Sequence, residues 1–198
     1  MMLFSNKYYA SVEEAENKPK RVKYLRLWNV DISSYEGRFS QFTSLKNLDI
    51  SWSTASIIPL DIASLKKLRV LRILNVPLNE FPEWICSLSE LRELTIRGTD
   101  ISAIPSDINR LYHLKRLEIG NNNLHSLPME IGQLENLKEL YASDNKLSLV
   151  PEEFRALSKL KKLGLVGNCF SENEAIRIRK FFPGIVDVWG RKEYEGQK

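Results

Sequence analysis

The amino-acid sequence predicts an α/β solenoid: seven repeats stacked in an arc with a concave parallel β-sheet, closed by a cap at each end. Three observations predict it: a constant repeat length, an alternating apolar pattern within each repeat, and a proline at a fixed distance after that pattern. Segments of the form LxxLxL recur every 23 residues and begin at positions 22, 45, 68, 91, 114, 137 and 160. One such unit is too small to bury its own apolar face, so neighbouring units must stack.

Each repeat divides into a predicted strand and a return segment. In LxxLxL the last two apolar residues lie two apart, which places both on one face of a short strand. The return segments of repeats 2 to 6 read IIPLDIASL, EFPEWICSL, AIPSDINRL, SLPMEIGQL and LVPEEFRAL. Their proline prevents the chain from continuing a β-ladder, and the apolar residues after it point back into the core. Repeat 1 lacks the proline and has Tyr35, Phe39 and Phe42 at the matching places.

These repeats resemble those of leucine-rich repeat proteins of the 23-residue type, whose return segments read LPxEIGxL. The residues that carry this segment in its fullest form are Leu127, Pro128, Glu130, Ile131, Gly132 and Leu134. The resemblance covers residues 22 to about 182 and implies a horseshoe arc with the strands on its concave side. Small bacterial members look most similar, through an S-x-E-E-A entry and an I-R-K-x-x-P exit. The family is defined by architecture, so the resemblance leaves the function open.

Both flanks carry signals for a helix start. Ser11 and Glu14 form an S-x-x-E capping box, and Ser171 and Glu174 form a second one. We expect one domain with an N-terminal helical cap (1–21), repeats (22–170), a C-terminal helix and strand (171–190) and a charged tail (191–198). Because both ends of the stack are capped, we expect a monomer.

The asparagine of the family pattern LxxLxLxxNxL is present in only part of the chain. By family analogy its amide bonds to the backbone of neighbouring turns and forms a ladder. The last three repeats have it, as Asn122, Asn145 and Asn168. The first four repeats have Val30, Ser53, Val76 and Thr99 instead. We expect less uniform bonding there; ordinary repeat divergence is the favoured explanation, and reshaping of the N-terminal half for a ligand is the alternative.

The concave face of repeats 1–4 is the predicted binding site. Solenoids bind partners on this face, and tryptophan, tyrosine and arginine are enriched at protein-binding hot spots. The predicted partner-binding residues are Tyr24, Arg26, Trp28, Asp49, Trp52, Arg72, Leu74 and Arg97. We expect Trp28 and Trp52 on adjacent strands, and the alternative is that they cover the rim or pack under a loop. Gly120, Ser143 and Gly164 predict a flatter surface in later repeats.

A basic residue follows the first apolar residue of every repeat. These seven residues are Lys23, Lys46, Arg69, Arg92, Lys115, Lys138 and Lys161. Their charge exceeds the formal net charge of +4, so the basic character reflects a repeated position in the scaffold. We interpret the column as a solvated edge that blunts pairing between sheets, with a strip for an acidic partner as the alternative. Both charge signs alternate inside the concave face, which disfavours nucleic acid.

The sequence lacks the signatures of the common catalytic and metal sites. There is no phosphate-binding loop, GxSxG elbow, HExxH motif or CxxC pair, and the chain has two cysteines and two histidines. We therefore expect no enzymatic activity, no cofactor and no metal. No apolar run approaches the ~20 residues that span a bilayer, so no membrane insertion is expected. With no signal peptide visible the default compartment is the cytoplasm, and export stays open if the chain is a trimmed form.

The sequence thus predicts a non-catalytic module that binds a protein partner on the concave face of repeats 1–4. Two alternatives stay open. One is a receptor for a small molecule or glycan that uses the same aromatic side chains for stacking. The other is a secreted or surface adhesin or an effector.

Overall fold

The computed structural model describes residues 8–187, and one parallel sheet runs through them. Its eight strands follow chain order, and each is hydrogen-bonded to the next. They are β1 (Tyr24–Trp28), β2 (Asn47–Ser51), β3 (Val70–Leu74), β4 (Glu93–Arg97), β5 (Arg116–Glu118), β6 (Glu139–Tyr141), β7 (Lys162–Gly164) and β8 (Val186–Asp187). The predicted solenoid arc with its parallel sheet is confirmed.

Consecutive strands pair with a shift of one repeat, so equivalent residues lie side by side. Leu48 is opposite Leu71, and Leu71 is opposite Leu94. The leucine at the second position of β1 to β7 is buried in every case and forms one wall of a continuous core. This register explains why the constant repeat length is kept, because an insertion before a strand would turn its apolar residues outward.

The return segments form the opposite wall as short 3₁₀ helices. In repeats 2–6 these helices are Leu60–Ser64, Glu83–Ser87, Ser106–Arg110, Met129–Gln133 and Glu152–Ala156. The predicted proline immediately precedes each of them. One apolar residue at the third helical position, such as Ile62 or Phe154, is fully buried against the sheet. Repeat 1 has a shorter 3₁₀ helix, Ile32–Tyr35, and fills the same space with Phe39 and Phe42.

Helices lie at both ends of the stack. Helix α1 (Val12–Glu16) begins after Ser11, whose hydroxyl accepts a hydrogen bond from the amide of Glu14. Helix α2 (Glu172–Phe181) begins after Ser171 in the same way. Of the strand expected at residues 185–189, the structure shows β8; residues 188 and 189, like 1–7 and the predicted tail, lie outside the described residues. Neither helix is long and apolar enough to cross a membrane.

The asparagine ladder ties the last repeats together. Asn145 accepts a hydrogen bond from the amide of Leu124 at 3.0 Å and donates to the carbonyls of Ile119 and Ala142. Asn122 and Asn168 make the equivalent carbonyl contacts, and neighbouring asparagines share an acceptor. The expected ladder is therefore present in repeats 5–7.

The first four repeats lack the ladder asparagine, and other groups form hydrogen bonds with the backbone of their turns. The hydroxyl of Ser53 accepts from the amides of Ile32 and Ala55, both at 3.2 Å. In repeat 3, Val76 offers no side-chain polar group to the turn before it, and the amide of Leu78 in its own turn donates to the Val76 carbonyl at 2.7 Å. The bonding of these turns is less uniform, as expected from the sequence.

Candidate protein-interaction site

The side chains that point to the concave face stand in columns, because equivalent strand positions are paired. Arg26, Asp49 and Arg72 form one column that continues to Thr95. A second column holds Trp28, Ser51, Leu74 and Arg97. The predicted side chains in these columns therefore share one surface, and Trp52, which follows its strand, stands outside the columns.

The cations of the concave face are neutralised by carboxylates. Arg26 lies 3.4 Å from Asp49, Arg72 lies 3.1 Å from Glu93, and Arg97 lies 3.5 Å from Glu118. The later strands continue the pattern: Arg116 contacts Glu118 at 2.8 Å and Glu139 at 2.6 Å, and Lys162 contacts Glu139 at 3.1 Å. Hydrogen bonding from Lys162, together with the nearby charge of Arg116, lowers the pKa of Glu139. This alternation of sign makes a poor track for a phosphate backbone.

The N-terminal segment adds an aromatic residue that the sequence analysis did not select. The Tyr8 ring lies 5.3 Å from the Tyr24 ring, and the Arg26 guanidinium lies 5.1 Å from the centre of the Tyr8 ring. Tyr9 holds this segment beside β1, since its carbonyl accepts from the amide of Arg26 at 2.9 Å. Tyr24 is therefore partly covered, whereas Trp28 is 63% exposed. The adjacent pair Tyr8-Tyr9 was the available sequence signal.

Trp52 does not lie where its expected strand position would put it. The residue opposite Trp28 is Ser51, and Trp52 comes after β2 with a φ angle of 59°. The prediction that the two tryptophans lie on adjacent strands is therefore wrong by one residue. Within residues 8–187 the two rings are not in aromatic contact.

The backbone conformation of Trp52 recurs in every repeat, whereas a tryptophan at this position does not. The equivalent residues also have positive φ; they are Asn29, Asn75, Gly98, Asn121, Asp144 and Gly167. Glycine, asparagine and aspartate tolerate this left-handed conformation, whereas a bulky side chain there is strained by roughly 1 kcal/mol. The amide of Trp52 donates to the Leu74 carbonyl at 2.8 Å, which fixes the backbone. Trp52 nevertheless stays 57% exposed.

A depression of about 550 Å³ opens beside Trp52, which we call the Trp52 depression. Its lining residues are Trp52, Arg72, Leu74, Asn75, Thr95, Arg97, Glu118 and Asn121. Four of the eight predicted binding residues meet here, whereas Tyr24, Arg26, Trp28 and Asp49 lie outside it on β1 and β2. Asn75 and Asn121 could have been found by comparing the position of Trp52 across the repeats.

The described residues include two free cysteines, which differ in burial. Burial raises the pKa of the Cys86 thiol to about 12, so this cysteine is a poor nucleophile. Cys169 is exposed. Between residues 8 and 187, no three histidine, cysteine, aspartate or glutamate side chains are grouped so that they could hold a metal ion.

Comparison with known families decides the classification. A family model described as a leucine-rich repeat region matches residues 80–178, half of the chain. The chain belongs to the leucine-rich repeat proteins. No curated protein sequence matches it significantly.

Solved structures of other leucine-rich repeat proteins are similar to it. One from Leptospira interrogans is 30% identical, with 84% of this chain aligned and a TM-score of 0.75; the chain spans 41% of that protein. An internalin from Listeria monocytogenes has a TM-score of 0.70 at 19% identity, covering 96% of this chain and 60% of its own. The ectodomain of an Arabidopsis thaliana receptor kinase (GASSHO1/SCHENGEN3), in complex with CASPARIAN STRIP INTEGRITY FACTOR 2, has a TM-score of 0.63 at 24% identity, covering 83% and 23%. The last two share the fold alone. Leucine-rich repeat proteins are commonly interaction modules.

Proposed function

We propose that this leucine-rich repeat protein is a non-catalytic interaction module that binds a protein partner on the concave face of repeats 1–4. The observation that carries the proposal is Trp52, an exposed tryptophan in a left-handed backbone position. Six other repeats occupy that position with asparagine, aspartate or glycine. The fold therefore does not require a tryptophan there.

The strain at Trp52 is not offset by burial. A large side chain gains stability in a folded protein when it leaves water, yet more than half of Trp52 remains exposed. Strained residues that the fold does not need concentrate at binding and catalytic sites. Contact with a partner would bury the indole ring and supply the missing stabilisation.

The surroundings of Trp52 support a polypeptide partner. Leu74 supplies an apolar contact, and Arg72 and Arg97 supply donors of the kind enriched at interfaces. The depression is open, since 52% of the Arg97 side chain stays exposed beside the half-exposed indole. Small molecules are usually enclosed over 70–90% of their surface, so this open shape favours a protein surface. Trp28, Tyr24, Arg26 and Asp49 would extend the same contact toward repeat 1.

Replacing Trp52 with asparagine tests the proposal, because asparagine is the residue of three other repeats at this position. We expect Trp52→Asn to raise the free energy of unfolding by about 1 kcal/mol, since asparagine adopts positive φ with less strain. Urea unfolding followed by circular dichroism measures this change. Loss of an anchor side chain should weaken partner binding by about thirtyfold.

Partner binding is measured by capture from a lysate of the source organism on immobilised protein, with quantitative mass spectrometry. Tyr112→Asn is the matched control, because Tyr112 is a similarly exposed aromatic residue outside the sheet. The same proteins should be captured by wild type and by the control and lost with Trp52→Asn. Equal capture by all three proteins would contradict the proposal, as would a marked loss of stability in Trp52→Asn.

A further inference from the structure

The seven basic residues that precede the strands form one continuous line, which we call the basic row (Lys23, Lys46, Arg69, Arg92, Lys115, Lys138 and Lys161). The amide of each of the six members after Lys23 donates to the carbonyl of the member before it, at 2.7 to 2.9 Å. The row is therefore part of the backbone ladder, with one charge per repeat. At a strand spacing of about 4.8 Å it extends for about 29 Å.

The basic row differs from the other cations of the sheet in having no carboxylate partners. The concave cations, such as Arg72 and Arg116, are all engaged by glutamate or aspartate. Among the residues that the structure describes, no ion pair involves a member of the row. Six members are exposed, and Lys46 is half-buried. The uncompensated positive charge of this face is concentrated there.

The position of the row argues against the role suggested from the sequence, that of a solvated edge that blunts pairing between sheets. Charged residues protect a sheet when they stand on an open edge strand. The basic row instead crosses the sheet, and members such as Arg92 and Lys115 are bonded to a neighbour on both sides. Like charges side by side on adjacent strands are destabilising. An anionic partner would relieve this repulsion.

A second depression connects the row to the Trp52 depression. It has a volume of about 580 Å³, and three members of the row, Arg92, Lys115 and Lys138, line it. Both depressions are also lined by Arg72, Thr95 and Glu118. A partner seated on Trp52 can therefore extend to the row across one continuous surface.

We propose that the basic row binds an acidic segment of the partner protein, laid across the strands from Arg92 to Lys138. The proposal rests on the function proposed above and specifies the chemistry of the partner. Glu93 and Glu139 lie beside the row on the same surface. They would repel a ligand with a phosphate at every step, whereas a polypeptide can place its carboxylates at the row and neutral residues next to the glutamates.

The test uses a fluorescein-labelled peptide of ten glutamates, which spans the row when extended. Fluorescence anisotropy at ~50 mM salt gives its affinity, and we expect binding to weaken steeply as salt increases. The row variant is Lys115→Glu with Lys138→Glu. The matched control is Lys20→Glu with Lys146→Glu, two exposed lysines outside the row that change the net charge equally.

We expect the row variant to bind the peptide at least about tenfold more weakly than wild type, and the control less than about twofold. Equal weakening by both variants, or no binding by wild type, would overturn the proposal. Tighter binding of a ten-nucleotide single strand or of phosphatidylserine vesicles than of the peptide would also overturn it, by identifying a different occupant.

The two proposals fail separately. Trp52→Asn should bind the glutamate peptide like wild type, because Trp52 is outside the row. If the row variant also binds it normally while Trp52→Asn loses the captured partner, the row proposal alone is wrong. The thermal unfolding midpoint of the row variant should equal or exceed that of wild type, since the substitutions remove like-charge repulsion.

Discussion

The N-terminal and C-terminal halves of the arc share one backbone plan and carry different side chains on it. Strands β1–β4 are each five residues long, whereas β5–β7 are three. Both halves keep the same pairing shift, the same backbone ladder and the same positive-φ position. The repeat therefore fixes the backbone, and the choice of side chain at exposed positions is free for binding.

The two halves diverge in their interior turns as well as on their surface. Repeats 5–7 have asparagines that bond to neighbouring repeats, buried in repeats 5 and 6 and half-buried in repeat 7, whereas repeat 3 satisfies its turn amide within its own backbone. On the concave face, Gly164 leaves room for the Tyr141 ring, because a Cβ there would lie 3.0 Å from the ring atom Cδ1. The turns of the C-terminal half are thus linked by side-chain amides, whereas those of the N-terminal half are bonded less uniformly.

The largest expected difference between the halves is the stabilisation from their turn residues. We expect Asn145→Ala to lower the free energy of unfolding by about 3 kcal/mol, because it leaves the buried Leu124 amide without a partner and removes one of the two ladder hydrogen bonds that the Ile119 and Ala142 carbonyls each accept. Ser53→Ala removes a single acceptor and should cost about 1.5 kcal/mol. Urea unfolding of both variants measures the difference. Equal costs would mean that the ladder adds no more cohesion than an isolated hydroxyl.

The capping boxes at the two ends of the stack also differ in how their contribution to stability depends on pH. Glu174 receives hydrogen bonds from Arg177, which lower its pKa despite burial, and it also accepts from the Val150 amide at 2.9 Å. A carboxylate with a depressed folded-state pKa contributes its full stability above its unfolded value, and this contribution is lost as pH falls through the folded-state pKa. Glu14 at the other end is exposed and accepts from Ala10 at 3.4 Å.

We therefore expect Glu174→Gln to cost about 1.5 kcal/mol at pH 7 and Glu14→Gln about 0.5 kcal/mol or less. Below pH ~4.5 the difference between wild type and Glu174→Gln should shrink, because the wild-type carboxylate becomes protonated. Thermal unfolding from pH 7 to pH 3 measures both effects. A constant difference across this range would contradict a role for the ionised carboxylate.

The sequence predicted the parts of the structure that depend on spacing. The constant repeat length and the Leu-x-Leu alternation imply the register of the strands, and the proline implies where each 3₁₀ helix starts. Trp52 was misplaced because alternation alone does not mark where a strand ends. Comparing its position with Asn29 or Gly98 reveals a left-handed turn, which no single repeat indicates.

Side-chain contacts between residues distant in the sequence could not be predicted from the repeat spacing. The pairing of Arg72 with Glu93 depends on strand adjacency, and the stacking of Tyr8 on Tyr24 depends on how the N-terminal segment returns to β1. The basic row was visible in the sequence as a column. Its place inside the sheet became clear only from the backbone ladder. That place favours binding of an anionic partner over protection of a sheet edge.

The smallest expected effect is that of a substitution at Val76. It tests whether the N-terminal turns have only lost the ladder asparagine or have also changed their backbone. Val76 is fully buried at the asparagine position of repeat 3. By the repeat spacing, an asparagine there would face the carbonyls of Ile50 and Ile73 and the amide of Ala55, which now donates to the Ser53 hydroxyl at 3.2 Å. Ser53 already accepts from the equivalent amide of the preceding repeat, that of Ile32. The backbone around position 76 is therefore arranged to accept a ladder asparagine.

We expect Val76→Asn to change the free energy of unfolding by less than about 1 kcal/mol, because its new hydrogen bonds offset the lost apolar burial. Val76→Ser is the control: it loses the same contacts, cannot reach all three groups, and should cost about 2 kcal/mol. Urea unfolding measures both variants. If asparagine costs as much as serine, the turn no longer accepts a ladder residue. The N-terminal half would then have been reshaped in its backbone as well as in its exposed side chains.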